Sequence, residues 1–143
     1  MTTFLRNNFV AMLAGILLLS ASFSAFIAPN EDPTMLTWGE LKVASDKISM
    51  VKTADFIKNM PNTMTFTVGK KTVNEVNGTI SLFPIDAETP PAQIDLTNGT
   101  ISETDQKVLL QYAKWGTKVF IENATCTLKG KVKPILGVGI KLN

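Results

Sequence analysis

The chain has 143 residues, of which 45% are hydrophobic and 18% charged, with a formal net charge of +2. This length gives room for one domain behind an N-terminal leader. From Pro29 onward thirteen lysines stand against twelve acidic residues, and so small an excess excludes the strongly basic surface of a nucleic-acid-binding domain.

The N-terminal region is typical of an export leader. Phe9–Ala28 contains no charged side chain, and a short polar start carrying Arg6 precedes it. The run is just long enough to cross a membrane as a helix, while Ser22 and Ser24 offer small-residue cleavage sites. Residues 1–28 are therefore a signal peptide or a signal anchor. In both cases we expect a periplasmic or secreted domain, anchored in the inner membrane if the leader is retained.

The first elements of the domain over residues 35–143 follow a linker, residues 29–34, in which two prolines disfavour regular structure. Apolar and polar residues alternate on both sides of Gly39, which predicts one strand with a bulge or kink. Residues 48–60 fit a helical stripe about as well as a broken strand, and we expect a short helix ended by Pro61. In residues 64–68 apolar side chains alternate strictly with threonines, which predicts a half-buried strand.

Two Asn-Gly dipeptides mark turns in the middle of the chain. Asn77-Gly78 is the stronger hairpin signal, because both central positions of a type I′ turn need positive φ. It predicts pairing of residues 72–76 with residues 79–83. After a loop over residues 84–91 and a short strand over 94–96, Asn98-Gly99 is expected to form a second turn.

One helix is predicted over about residues 102–115. Ser102 is suited to cap its first turn together with Asp105 three residues later, and Gly116 is suited to end it. Val108, Leu109 and Tyr112 then form the apolar face.

The last third of the chain reads as two strands, residues 118–128 and 135–142, joined across a turn at residues 129–131. Gly137 and Gly139 suggest close packing of the last strand. In total, about seven short strands with one inserted helix predict a mainly β fold, an immunoglobulin-like β-sandwich preceded by an apolar leader helix.

The sequence offers no obvious catalytic or metal-binding group. It contains no histidine, which removes the usual general base and the commonest metal ligand. The single cysteine, Cys126, alternates with Ala124 and Leu128, so a buried, inert thiol is expected. The acidic residues on loops, such as Asp86 and Glu88, are expected to be solvated rather than buried. We therefore expect a non-enzymatic protein without a cofactor or a metal.

Two sets of residues are candidates for binding. The first is a partner face of lysines near the C-terminus, namely Lys118, Lys129, Lys131 and Lys133, whose alternative role is that of solvated strand faces. The second is a pair of tryptophans, Trp38 and Trp115, that could stack on a sugar. For Trp115 the alternative is that it covers the sandwich core at the end of the helix.

The C-terminal sequence also carries a family resemblance. The run from NGTISETDQKVLL through WGTKVFIENATCTLKGKVKPILGVGIKLN resembles the C-terminal domain of the GldM (PorM) family of gliding motility and type IX secretion. The shared pattern is an Asn-Gly turn, a capped helix, a glycine before a strand and a closing apolar strand. The resemblance implies an immunoglobulin-like fold, a periplasmic setting, a membrane anchor and protein partners in the outer membrane.

Two functional hypotheses follow. The first is a periplasmic protein–protein interaction module of the GldM type, linked to motility or type IX secretion, whose partner is an envelope or outer-membrane protein or a second copy of the chain. The second is a secreted carbohydrate-binding β-sandwich that uses Trp38 or Trp115.

Overall fold

The computed structural model describes residues 33–143, so the predicted leader over residues 1–28 and most of the predicted linker lie outside the described residues. The described part is mainly β, with ten strands and two helices. The strands are β1 (Thr34–Trp38), β2 (Leu41–Ala44), β3 (Ile48–Val51), β4 (Met64–Val68), β5 (Lys71–Val73), β6 (Val76–Phe83), β7 (Ala92–Leu96), β8 (Lys118–Leu128), β9 (Lys131–Pro134) and β10 (Val138–Leu142). The helices are α1 (Thr53–Asn59) and α2 (Glu103–Tyr112). Neither helix is long and apolar enough to cross a membrane.

The strands form two sheets that face one apolar core. The four-stranded sheet has the order β2-β1-β4-β5, and the six-stranded sheet has the order β3-β10-β8-β6-β7 with β9 paired to β8. Only the β3–β10 pairing among the described strands is parallel. The four-stranded sheet contributes Leu36, Trp38 and Phe66 to the core, and the six-stranded sheet contributes Ile80 and Ile140; all five side chains are fully buried. The mainly β architecture is therefore confirmed.

The number of strands exceeds the predicted seven, partly because Gly39 makes a turn and not a bulge. Gly39 has a φ of 58°, and with Glu40 it forms a two-residue turn that pairs Trp38 with Leu41. Glycine at the first central position is typical of a type II′ hairpin. The alternation on both sides of Gly39 thus belongs to two antiparallel strands.

The first four residues of the predicted helix over residues 48–60 form a strand. Residues 48–51 are β3, which lies parallel to β10 at the edge of the six-stranded sheet. Helix α1 begins only at Thr53. The sequence of this segment fits a helix about as well as a strand. Residues 48–51 form a strand because they pair with the C-terminal strand β10.

The hairpin predicted at Asn77-Gly78 is wrong. Both residues lie inside β6, which pairs with β7 on one side and β8 on the other. Gly78 alone faces two residues of β8, Asn123 and Ala124, in a β-bulge where Asn123 has a φ of 51°. The chain instead turns at Gly69, between β4 and β5, and β5 pairs with β4.

The second Asn-Gly turn and the capped helix are confirmed. Asn98 and Gly99 have φ values of 50° and 73° between the bridged Thr97 and Thr100. The Ser102 Oγ accepts a hydrogen bond from the Asp105 N–H at 3.1 Å and donates one to Asp105 Oδ2 at 2.7 Å. Helix α2 ends at Tyr112 with Ala113 as its C-cap, three residues earlier than predicted, so Gly116 does not end the helix and lies in the turn that follows.

The C-terminal region contains three strands where two were predicted. Lys129 and Gly130, both with positive φ, join β8 to β9, and β9 takes the last residue of the predicted turn and residues 132–134, which lay between that turn and the predicted last strand. At Gly137 a side chain would collide with the Ile121 carbonyl oxygen, so the predicted close packing against backbone is confirmed there. Cys126 is buried with 1% of its surface exposed, as expected.

Candidate functional site

The four lysines of the predicted partner face do not lie together. Lys118 begins β8, whereas Lys129, Lys131 and Lys133 follow its other end. At about 3.3 Å per residue, the two ends of this strand are about 30 Å apart. Lys118 therefore belongs to a different surface from the other three.

Lys131 and Lys133 have a structural explanation. Both lie on β9, whose four residues are all exposed, and they are paired with Leu128 and Cys126 of β8. Lysines that point toward the core side of an edge strand, followed by Pro134, hinder the pairing of this edge with another chain. Protection of a sheet edge accounts for these two residues without a ligand.

Lys118 instead lies on the side of the six-stranded sheet that faces away from the core. We name this surface the outer face and define it by six outward residues. The cross-strand register places them in two rows. The first row contains Met50, Lys141, Lys118 and Phe83 in that order, and in the second row Ile48 and Phe120 lie on either side of Gly139.

Much of the outer face is apolar and open to solvent. Ile48, Met50 and Phe83 are 50%, 58% and 42% exposed. Phe120 packs edge-on against Phe83, with the ring centroids 5.8 Å apart. Beside Phe120 and Ile48 lies a groove of about 360 Å³, whose lining also includes Asp46, Lys47 and Glu122. Contiguous exposed apolar surface of this kind is typical of a binding face.

Two like charges stand in the middle of this apolar surface. Lys118 and Lys141 are direct cross-strand neighbours on β8 and β10, an arrangement that destabilises a sheet. The one ion pair within residues 33–143 joins Lys58 to Glu40, away from this sheet. The lysine pair therefore offers two positive charges that no carboxylate of the described domain neutralises.

Carboxylates do occur at the far end of the same side of the sheet. Glu122 pairs with Thr79, and Thr79 pairs with Asp95. Glu122 lies four residues beyond Lys118, which corresponds to about 13 Å. This side of the sheet is thus positive at one end and negative at the other.

Sequence reasoning found Lys118 but missed Lys141, Met50, Ile48 and Phe83. Together with Lys118, these residues come from four strands that are far apart in sequence. The signal that was present is the alternation around Lys141, because Ile140 and Leu142 point into the core and Lys141 must then point outward. Its pairing with Lys118 depends on the β8–β10 register, which no local pattern gives.

Of the two tryptophans, only Trp115 presents its ring to solvent. Trp38 is fully buried, its Nε1 donates a hydrogen bond to the Asn62 carbonyl oxygen at 2.9 Å, and its ring packs edge-on against Phe56 at 5.2 Å. Trp38 is a core residue and has no free face for a sugar. Trp115 is 66% exposed, so it does not cover the sandwich core.

Trp115 borders a pocket of about 210 Å³ between the end of α2 and the loop over residues 84–91. Its lining also includes Ile85, Asp86, Gln111 and Lys114. Hydrogen bonding from Thr89 holds the pKa of the Asp86 carboxyl below its ordinary value, and the charge of Lys114 adds a smaller effect. Asp86 is therefore ionised at neutral pH.

No metal centre is formed by this part of the chain, because residues 33–143 contain no group of three or more acidic or cysteine side chains placed to hold an ion. Comparison of the chain with protein-family models, with curated proteins and with solved structures finds no match. The resemblance to the GldM family accordingly stays a prediction.

Proposed function

We propose that this domain is a non-enzymatic protein–protein interaction module that binds an acidic, partly apolar surface of another protein through the outer face. The observation that carries the proposal is the Lys118–Lys141 pair. A sheet gains nothing from two like charges placed side by side, whereas an acidic partner would neutralise both at once.

The surroundings of the lysine pair support a protein partner. Ile48, Met50 and Phe83 offer apolar area whose removal from water favours binding by about 25 cal/mol per Å². In the outer face the lysine pair lies between Met50 and Phe83, so a partner that covers the apolar side chains also covers both charges. The charged pair would steer the encounter and select acidic partners, while the apolar groups would slow dissociation.

The setting of the proposal is the cell envelope. The predicted leader over residues 1–28 supports a periplasmic or secreted location, with a membrane anchor if the leader is retained. The two-sheet architecture and the capped helix α2 support the finer interpretation as an immunoglobulin-like β-sandwich of the GldM type. On this interpretation the partner is an envelope or outer-membrane protein, in the context of gliding motility or type IX secretion.

The test is a binding comparison between two double variants of matched charge. Protein produced from the full-length sequence serves as bait for envelope extract of its source cells, and each recovered partner is then purified and titrated directly. Lys118→Glu with Lys141→Glu reverses the outer face. Lys131→Glu with Lys133→Glu makes the same charge change on the edge strand β9.

We expect the outer-face variant to bind the partner at least tenfold more weakly and the β9 variant to bind it as the wild type does. Binding should also weaken as ionic strength rises. Equal binding by both variants would overturn the proposal. A further outcome would identify the partner as a second copy of the chain. In that case the wild type sediments as a dimer and the outer-face variant as a monomer, and Glu122 and Asp95 of one copy face the lysines of the other.

A further inference from the structure

The backbone that carries Trp115 is held by hydrogen bonds on its C-terminal side, and the indole faces solvent. It lies in the short turn between α2 and β8, where the Gly116 N–H donates to the Leu142 carbonyl oxygen at 2.8 Å and the Thr117 N–H donates to the Lys114 carbonyl oxygen at 3.2 Å. An indole carries one of the largest apolar surfaces of any side chain. An open indole on a hydrogen-bonded turn is a platform that a flat, weakly polar ligand surface can cover.

Another wall of the pocket is formed by a loop that is tied to α2. The Tyr112 Oη on α2 donates a hydrogen bond to the Pro90 carbonyl oxygen at 2.8 Å, which ties the loop over residues 84–91 to the helix. The loop brings Ile85 and Asp86 to the pocket. The pocket volume of about 210 Å³ is below the roughly 300–1,000 Å³ of sites for drug-sized ligands and fits about one six-membered ring.

The polar groups of the pocket suit hydroxyl groups. The Asp86 carboxylate is acceptor-only, the Gln111 amide both donates and accepts, and the Lys114 ammonium donates. Asp86 and Lys114 carry opposite charges, so the pocket has no net charge that would select an anionic or a cationic ligand. A ligand with one apolar face and a rim of neutral hydroxyl groups matches this arrangement.

We propose that the pocket beside Trp115 is a subsite for one ring of a neutral saccharide, with the apolar C–H face of the sugar stacked on the indole and its hydroxyl groups bonded to Asp86 and Gln111. This site adjoins the Lys118–Lys141 pair of the outer face through Ile85, but it needs neither of those charges. The domain would then join a protein-binding surface to a glycan-binding one.

The chain's two tryptophans make fluorescence a selective probe. Because Trp38 is fully buried, a ligand-dependent change in emission reports Trp115. The protein is titrated with soluble neutral oligosaccharides of glucose, mannose and N-acetylglucosamine, and with an oligosaccharide of uronic acids as the charged comparison. We expect a saturable blue shift with at least one neutral oligosaccharide, and the same shift in Trp38→Phe.

Three variants assign the response. Trp115→Ala should abolish binding when it is followed by calorimetry, and Asp86→Ala should weaken it at least tenfold. Leu110→Ala is the matched control, because Leu110 is an exposed apolar residue on helix α2 but does not line the pocket. This variant should bind as the wild type does. Circular dichroism verifies that each variant is folded.

Three results would overturn this proposal: no saturable change with any neutral oligosaccharide at millimolar concentration, binding that persists in Trp115→Ala, or binding of the uronic acids alone. The double variant Lys118→Glu with Lys141→Glu separates the two proposals. It should lose the protein partner and keep the saccharide, so failure of one site leaves the other testable.

Discussion

The Oδ1 of Asn59 accepts a hydrogen bond from the backbone N–H of Glu40 at 2.8 Å, and so joins the end of helix α1 to the turn of the first hairpin. The other end of the same amide is also used, since Nδ2 donates to the Asp55 carbonyl oxygen at 2.8 Å. Asn59 is only 3% exposed. One buried side chain thus fixes the short helix α1 against the turn between β1 and β2.

Replacement of this amide should be costly. We expect Asn59→Ala to lower the free energy of unfolding by about 1–3 kcal/mol, because it leaves partly buried backbone groups without a partner. Urea denaturation measures the change. Lys58→Ala is the control, since it removes only the exposed Lys58–Glu40 ion pair of 2.7 Å, and such pairs contribute little to stability. Equal losses in the two variants would contradict the role given to Asn59.

Two glycines of nearly equal backbone geometry allow a second comparison. Gly99 and Gly130 have φ values of 73° and 74°. A side chain at Gly130 would meet nothing within 4 Å, whereas one at Gly99 would meet the carbonyl oxygens of Met64 and Asn74. Gly130→Ala should therefore cost only the left-handed conformation, about 1–2 kcal/mol, and Gly99→Ala should cost clearly more. Thermal or urea unfolding of the two variants decides this, and equal stabilities would show that the Gly99 turn yields without strain.

The two Asn-Gly dipeptides show how far local sequence predicts this fold. Asn98 and Gly99 lie outside the strands, and the turn forms as the dipeptide indicates, with the Gly99 backbone bonded to Val76 and Met64. At Asn77-Gly78 the same dipeptide lies inside β6, because β7 and β8 pair with this strand on both sides. Hydrogen bonds along two long strand pairs outweigh the preference of two residues for a turn.

The same distinction applies to the candidate sites. Helix α2 was predictable because its cap, Ser102 with Asp105, is local. Trp115 was found because a tryptophan near the end of a predicted helix is visible in the sequence, although its exposure was not. The lysine pair was not predictable, because Lys118 and Lys141 meet only through the β8–β10 register.

Cys126 provides a test of the core and of its pH dependence. Burial raises the pKa of the Cys126 thiol, and the charge of Lys133 opposes this effect only in part. The folded state therefore holds the thiol proton more tightly than the unfolded state does. It follows that the stabilising contribution is present below the unfolded thiol pKa, about 8.5, and is lost as pH rises through the higher folded value.

Two measurements follow from this. A thiol reagent at pH 8 should react with Cys126 only after urea is added, and the stability of the wild type should fall above pH 8.5 more steeply than that of Cys126→Ala. Rapid labelling of the folded protein, or parallel pH profiles for the two proteins, would contradict the buried thiol.

The lysine pair yields a prediction that separates stability from binding. In Lys141→Glu a carboxylate would stand directly opposite Lys118, so that a repulsive cross-strand pair becomes an attractive one. We expect the free energy of unfolding to rise by a few tenths of a kcal/mol, up to about 1 kcal/mol, with the gain reduced at high salt. The control is Lys131→Glu on β9, whose cross-strand neighbour is the uncharged Leu128 and which should therefore gain no such pair.

A residue that only supports the fold would lose stability and binding together. Under the proposed function Lys141→Glu does the opposite: the domain becomes more stable while its affinity for an acidic partner falls, because the charge that the partner needs has been reversed. A variant that gains stability and keeps its partner would show that the outer face is not the binding surface. A variant that loses stability would show that Lys118 and Lys141 do not repel each other in the folded domain, and the main support for the outer face would then be gone.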